Sequence, residues 1–599
     1  MAFKDELAKV TSKQGHFKKG DDTWVDSMLP NFDSGEAGEE KSPWKVVYLL
    51  IISLIIFFTL FLRLFHLQIV KGAENRILAD GNRIQIKMIH APRGVIYDRS
   101  GRVLAENSPG FRLKNGQKVT YISRDEALKL EAKGDPDFKN LEVDSIRSYP
   151  MGQVSAHILG SVSEITPDEL KNLKGYRIGD RLGRGGVEET YESLLKGVDG
   201  GEVVEVDAKG EVLRSLRKFD PTPGKNLYLS VDIDLQKLTF NLLQDAIKKA
   251  GSCCGSAIVE DPTTGQILSL VSMPSFEPEH LSDYLSADHF PILNRAIAGT
   301  YPPGSTFKIA SSLAGLSSGK ITPDTIFEDT GEIYLGPYKF SNWYFNQYGR
   351  TEGPVNLVKA IQRSNDTYFY RLSQSTGEKV LGEAAKKMGL GKSLGIDIPG
   401  EVSGLIPDND WKVKHVGEVW FPGDTLHMAI GQGFVLATPL QILNLSSVVA
   451  SGGNQLTPHL ALKLTDSKDN LVKEFKFPES KVDFKKEYLD LVKKGMIEAA
   501  SSGGTAWPLF VFPIQTAGKT GTAEYGDPKN RTHAWYTAFA PADNPKIAVV
   551  VLVEGGGEGS SVASPIAKEI FRWFLSPDKK NLIKDNNVVA TDSAKQLGE

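Results

Sequence analysis

The chain has 599 residues, 40% of them apolar and 24% charged, a balance that suits a folded core of about three or four domains and excludes a disordered chain. Seventy Lys and Arg against 74 Asp and Glu leave a formal net charge of −4. That near-balance lacks the basic excess of a nucleic-acid-binding protein.

Residues 1–45, rich in Lys, Asp, Glu and Gly, read as a disordered tail. Val46 to Leu62 follows, seventeen residues without a charge, with Trp44 and Lys45 at one edge and Arg63 at the other. Apolar character resumes at Leu64-Phe65, so residues 46–70 are predicted to be a membrane-spanning helix and its juxtamembrane segment. The polar stretch before the span and the lack of a small-residue cleavage site after it argue against a cleaved signal peptide. Basic residues lie on both sides: Lys41 and Lys45 before, Arg63, Lys71 and Arg76 after. The short first segment is the cheaper one to keep inside. The expected arrangement is a single-pass signal anchor with a cytoplasmic N-terminus and the remaining chain outside the membrane.

Residues 71–224 read as an α+β module. Val95, Ile96 and Tyr97, an Asp-Arg-Ser-Gly turn, and Val103-Leu104 give strand, turn, strand. Val187, Tyr191, Leu194 and Leu195 mark a short amphipathic helix, and Val203, Val204, Val206 and Val212 mark strands. Phe219-Asp220-Pro221-Thr222-Pro223-Gly224 has linker composition.

A second domain is expected over 225–576. A helix buries Leu235, Leu238, Leu242, Ala246 and Ile247. A hairpin then places residues 257–259 and 267–271 around Pro262-Thr263-Thr264-Gly265. Residues 275–500 read as helical and loop-rich. Strands return at 514–523, 534–540 and 547–553, followed by a helix over 565–574 and a tail over 577–599. Strands at both ends of a helical middle imply one sheet assembled from distant segments. Cys253 and Cys254, the only two cysteines, are adjacent; a bridge between neighbours is strained, so they are expected as small buried apolar side chains. With no His cluster near, they make a poor zinc site.

Three short motifs carry the chemistry. Ser305-Thr306-Phe307-Lys308 follows Tyr301-Pro302-Pro303-Gly304, which sets a hydroxyl and an amine on one face of a predicted helix start. A serine becomes a nucleophile when a neighbouring base, such as a lysine of lowered pKa, takes its proton. Ser364-Asn365-Asp366 lies where a loop enters a helix, and Lys519-Thr520-Gly521-Thr522 lies on a strand whose small residues admit close approach of a ligand. Alone, each is unremarkable. In this order they match the S-x-x-K, S-x-[ND], K-T-G set of penicillin-interacting serine enzymes.

From the span to about residue 576 the chain resembles class B penicillin-binding proteins, peptidoglycan D,D-transpeptidases, and within them the elongation-type penicillin-binding protein 2 group. The resemblance rests on APRGVIYDRSGRVLAEN (91–107), GRGGVEETYESLLKGVDGGEVVEVDAKG (183–210), YPPGSTFK (301–308), SNDTYFY (364–370), GIDIPGEVSGLIP (395–407), GDTLHMAIGQGFVLATPLQ (423–441), AGKTGTAE (517–524) and HAWYTAFAPADNPKIAVVV (533–551). Asp366 in the second motif points to the elongation type, since division-type relatives usually carry Asn there. The fold this implies is a single transmembrane helix, an α+β pedestal (dimerisation-like) module and an α/β transpeptidase domain, an antiparallel sheet flanked by helices with a helical subdomain.

The resemblance further implies Ser305 as nucleophile, Lys308 as base, Ser364 as proton relay and Asp366 as the residue that positions the site. Lys519, Thr520 and Thr522 would hold the donor carboxylate beside Gly521 and Asn365, and the N–H groups of Ser305 and Thr522 would form an oxyanion hole. The implied partners are peptidoglycan stem peptides as donor and acceptor, β-lactams, a SEDS-type glycosyltransferase and elongation scaffold proteins, with D,D-carboxypeptidase as a side activity and no cofactor. Two departures stand out. Only about thirty residues from Lys114 to Asp144 stand where relatives often carry a larger head. Some relatives hold a metal near the second motif through Cys and His; Asn365 occupies the Cys position and no His lies between 290 and 414, so no metal is expected. His533 reads as structural or as an acceptor-site rim, His427 as packing, and Asp424 and Gln432 as flanks of a Gly-rich turn near the cleft. The competing readings are a division-type transpeptidase, a serine β-lactamase and a non-catalytic β-lactam sensor.

Overall fold

The computed structural model describes residues 44–576 except 116–117, 137, 139–140 and 208–210. The expected tails, residues 1–43 and 577–599, lie outside the described residues. The chain divides into two units, Met1–Gln85 with Glu205–Arg214, and Ile86–Val204 with Ser215–Glu599.

In the first unit, helix α1 (Trp44–Phe65) continues through a π-type turn to Val70. These 27 residues are apolar and unburied, long enough to cross a membrane. Thr59 turns its hydroxyl back on the Ile55 and Ile56 carbonyls at 2.9 and 2.8 Å, so its polar group is satisfied within the helix. The expected span is therefore a candidate membrane anchor, longer at both ends than the uncharged run.

The second unit opens on a seven-stranded sheet. Its order is Leu471–Glu474, Ala461–Thr465, Asn226–Leu229, Ile96–Tyr97, Val103–Asn115 and Lys118–Ser123, with Leu141–Ser148 also pairing on Val103–Asn115. The expected turn after Tyr97 is present because Asp98 Oδ1 accepts from Ser100 N at 2.8 Å and Arg102 N at 2.9 Å. The single helix expected over 187–195 is two, Gly186–Thr190 and Glu192–Leu195, broken at Tyr191. Tyr191 spends its hydroxyl on Asp397 Oδ2 at 2.7 Å, a long-range bond with no sequence signal. Within the first of these pieces Glu188 is fully buried and accepts from Arg147 Nε at 2.7 Å and Arg93 Nε at 2.6 Å. Residues 219–224 run pinned rather than loose, with Thr222 N donating to Val198 O and Gly224 N to Pro92 O. A Cβ on Gly224 would lie 1.9 Å from the Leu195 carbonyl oxygen.

The larger domain is built on a five-stranded antiparallel sheet: β1 (Gly255–Asp261), β2 (Gln266–Met273), β3 (Ala517–Glu524), β4 (Thr532–Ala540) and β5 (Ile547–Val553) in the order β2-β1-β5-β4-β3. Alternation along each strand sends side chains to two cores. Val549 and Val551 pack with Leu235, Leu243 and Ile247 of α2 (Ile233–Lys249) and Phe571 near the C-terminus. Ile258, Val550 and Leu552 belong to the other core, where the helix Pro439–Ala450 covers the sheet and α3 (Lys308–Ser317) contributes Ile309 and Leu313. A sheet covered on both faces needs strands apolar at every position, and Ile547–Val553 is buried throughout. The helical middle contributes α4 (Leu357–Arg363) and α5 (Asp366–Thr376) beside the site.

Two further expectations differ from the structure. The buried stripe of α2 is Leu235, Phe240, Leu243 and Ile247, while Leu238, Leu242 and Ala246 are only partly buried, because the helix turns its Thr239 face fully inward. Cys253 and Cys254 are not free thiols but a disulfide, with Cα atoms 3.7 Å apart; only Cys254 is buried.

Candidate active site

Ser305 lies in a 3-10 turn, Gly304–Phe307, and Lys308 opens α3. At three residues per turn, positions i and i+3 eclipse, so the hydroxyl and the amine leave the same side. The turn is anchored from several directions. Gly304 N donates to Gly431 O at 2.9 Å, and Tyr301 exchanges backbone bonds with Ala437 at 3.0 and 2.9 Å. Trp535 Nε1 donates to Pro302 O at 3.0 Å. Tyr301 also donates its hydroxyl to Glu554 Oε1 at 2.7 Å, a carboxylate shared with Arg295. Strand β3 packs against the turn at Gly521, where a Cβ would sit 3.1 Å from Pro303 O and 2.9 Å from the Trp535 Cβ.

The three motifs meet in one buried cluster. Lys308 Nζ donates to Asp366 Oδ1 at 2.6 Å, to Ser364 O at 2.8 Å and to Ser364 Oγ at 3.3 Å. Lys519 Nζ reaches the same Ser364 Oγ at 2.8 Å and Thr520 O at 3.0 Å. Both amines are 0% exposed. Burial drives both lysines below their ordinary values, because a buried ammonium loses its hydration. At Lys519 the Lys308 charge adds to burial, and at both lysines the Asp366 carboxylate opposes it. Two ammonium groups on one hydroxyl oxygen would repel each other, with Asp366 the single carboxylate in contact with them.

Ser305 is half-buried. Asn365 is 1% exposed and caps α5, its Oδ1 accepting from Tyr368 N at 2.8 Å, while its Nδ2 has no hydrogen-bond partner among the described residues. Thr520 shares a 2.8 Å hydrogen bond with the Thr505 hydroxyl, and Thr522 is exposed on β3. Gln432, oriented to satisfy both ends of its amide, brackets the Glu524 backbone at 3.3 and 3.0 Å, alongside the motif strand. Asp424 instead pairs with Lys412 at 2.6 Å and caps its own helix at Phe421 N. His533 stacks on Tyr525 with ring centroids 4.0 Å apart and accepts from Gly555 N at its Nδ1. Burial lowers its pKa to about 4, so it is a neutral packing group at physiological pH. His427 packs on the Phe340 ring. One group of candidate metal ligands exists among the described residues, Cys253, Cys254 and His289. It includes no motif residue, and its sulfurs are already joined.

Residues 255–572 match the penicillin binding protein transpeptidase domain, and residues 114–229 the penicillin-binding protein dimerisation domain. Peptidoglycan D,D-transpeptidase MrdA of Acinetobacter baumannii is 33% identical over 94% of this chain and 92% of its own. Among solved structures, Pseudomonas aeruginosa PBP2 in complex with WCK 5153 is similar at TM-score 0.66 and 33% identity, covering 83% of this chain and 98% of that one. PBP2 of Helicobacter pylori, in its complex with MreC, aligns at TM-score 0.70 and 29% identity, covering 82% and 98%. With both of its modules matched and its motifs drawn together on one serine hydroxyl, the chain belongs to the penicillin-binding protein transpeptidase family, beside the relatives named MrdA and PBP2.

Proposed function

We propose that this protein is a membrane-anchored, elongation-type peptidoglycan D,D-transpeptidase working through an acyl-enzyme on Ser305. The observation that carries this reading is the convergence of Lys308 and Lys519 on Ser364 Oγ, at 3.3 and 2.8 Å, with Lys308 itself three residues after Ser305. Lys308, whose ammonium form burial disfavours, takes the Ser305 proton as Oγ attacks the carbonyl of the penultimate D-alanine of a donor stem. Ser364 relays a proton to the departing amine of the terminal D-alanine, and Asp366 holds Lys308 in place. The N–H groups of Ser305 and Thr522 receive the oxyanion. Lys519, Thr520 and Thr522 hold the terminal carboxylate, with Gly521 and the unengaged Asn365 amide in the same substrate-binding set. An acceptor amine from a neighbouring stem then displaces Ser305, forming the cross-link and returning the proton along the same path. Water in place of that amine gives D,D-carboxypeptidase as a side reaction. A β-lactam acylates Ser305 by opening its ring.

In this reading the N-terminus is cytoplasmic and the catalytic domain lies outside the membrane. A scaffold of the MreC kind, as in the Helicobacter pylori complex, and a SEDS-type glycosyltransferase are the partners it implies. Purified protein treated with a fluorescent penicillin, wild type beside Ser305→Ala, tests the assignment. Stable label on the wild type alone is expected. Equal label on both removes Ser305 as nucleophile, and a wild-type label lost within minutes indicates a β-lactamase instead.

A further inference from the structure

Ser364 is held in a backbone conformation that L-residues avoid, with φ 53° and ψ 39°. Hydrogen bonds from one upstream segment straddle it. Trp343 Nε1 donates to the Arg363 carbonyl at 2.9 Å on one side, and Trp343 N donates to Asp366 Oδ2 at 3.1 Å on the other. Asn342 Oδ1 accepts from Asp366 N at 3.2 Å. Beneath them, Asn342 Nδ2 donates to Asp329 Oδ2 at 3.1 Å, and the same carboxylate accepts from Gly331 N at 3.0 Å and Glu352 N at 2.9 Å. Asn342 is 0% and Asp329 3% exposed.

The geometry of Asn342 separates this from ordinary loop packing. It occupies the N-cap position of the short helix Trp343–Tyr348 yet makes no capping bond there. Its side chain is committed instead to Asp329 below and to the second motif above. The other oxygen of Asp366 is the one that holds Lys308, at 2.6 Å. The chain of contacts thus runs from Asp329 through Asn342 to Asp366 and Lys308, and from Trp343 to both ends of the strained turn.

We propose that Asp329, Asn342 and Trp343 form a positioning brace that keeps Ser364 in its left-handed conformation and fixes Asp366 on Lys308. The brace rests on the acyl-transfer reading above and extends it to a segment outside the three motifs. A buried network of this kind is effective only when every member is satisfied.

The test is the rate of Ser305 labelling by a fluorescent penicillin as a function of pH, in the full-length protein, with thermal unfolding measured alongside. Asn342→Leu keeps the side-chain size but removes both amide bonds; Trp343→Phe keeps an aromatic ring and the backbone donor but removes the Nε1–H together with part of the indole volume. Asn342→Leu is expected to slow acylation by about tenfold, the order of one lost positioning hydrogen bond, and Trp343→Phe by about threefold. The titratable groups facing Lys308 are Asp366 from α5 and Lys519 from β3. A loosened Asp366 favours the Lys308 ammonium less, so the acid limb of the profile moves to lower pH in both variants. Wild-type rates and profiles in both variants overturn the brace. Slowing that merely tracks loss of folded protein, with an unmoved profile, overturns it too. No Ser305-dependent label even on the wild type overturns the transpeptidase reading, and the brace with it.

Discussion

Lys308 and Lys519 share one hydroxyl oxygen, and that sharing sets the electrostatics of the site. Because burial lowers both amines and only Asp366 opposes the effect at Lys308, acylation is expected to begin below the ordinary lysine range, with apparent pKa values that belong to the pair. Asp366→Asn removes the charge that favours the ammonium, so the acid limb of its pH–acylation profile is expected at lower pH than in wild type. An upward displacement of that limb would contradict the arrangement. All of the catalytic candidates were legible in the sequence, since spaced motifs name residues directly. Asn342 and Trp343 were not, because their role consists of bonds to the Arg363 carbonyl and the Asp366 amide and carboxylate, which leave no spacing to read. The Cys253–Cys254 bridge escaped for a related reason: a general argument about strain between neighbours does not register the local backbone that brings the sulfurs together.

At the level of elements, Glu188 joins pieces of chain that the sequence lists far apart. Burial opposes its ionisation, but the Arg147 and Arg93 guanidinium groups outweigh burial and hold its carboxyl below the usual range. A depressed carboxyl contributes stability above its unfolded-state pKa and loses that contribution as pH falls through the folded value. Glu188→Ala leaves two buried cations short of their partner and is expected to cost about 3–5 kcal/mol. The measurement is the difference in melting temperature from wild type, which should be several degrees near neutral pH and shrink as pH drops below the carboxylate range. A variant that melts with the wild type at neutral pH would show the network to be dispensable. Periodicity gave the strands of the core sheet well, because near-continuous apolar runs such as Ile547–Val553 have few other uses. It merged Gly186–Thr190 with Glu192–Leu195, since the break at Tyr191 is stabilised by a hydroxyl bond to a residue more than two hundred positions away.

For the molecule as a whole, the larger domain is closed by its last strand but one step from the end. β5 lies between β1 and β4, so a chain stopped after Lys546 loses the middle of the sheet rather than an edge. Such a truncation is expected to take up no fluorescent penicillin and to be degraded by a protease concentration the intact protein survives. Labelling at the intact level would mean that the sheet can close without β5. Sequence reading anticipated that distant segments share this sheet, because apolar strand patterns stand at both ends of the domain. It did not anticipate that Ala461–Thr465 and Leu471–Glu474 extend the other sheet, since two short strands inside a largely helical stretch fall below any periodic signal. The pairing of Glu260 with Ala548 also has a meaning in time. At ~5–20 residues per second of synthesis, β1 waits about 15–60 s for its partner to be made. Throughout that interval the β1–β2 hairpin offers an open, apolar edge to any other strand it meets. The newborn chain thus stays open to mispairing at this edge until its last strand is made, and a chaperone that shields the hairpin would act during that wait.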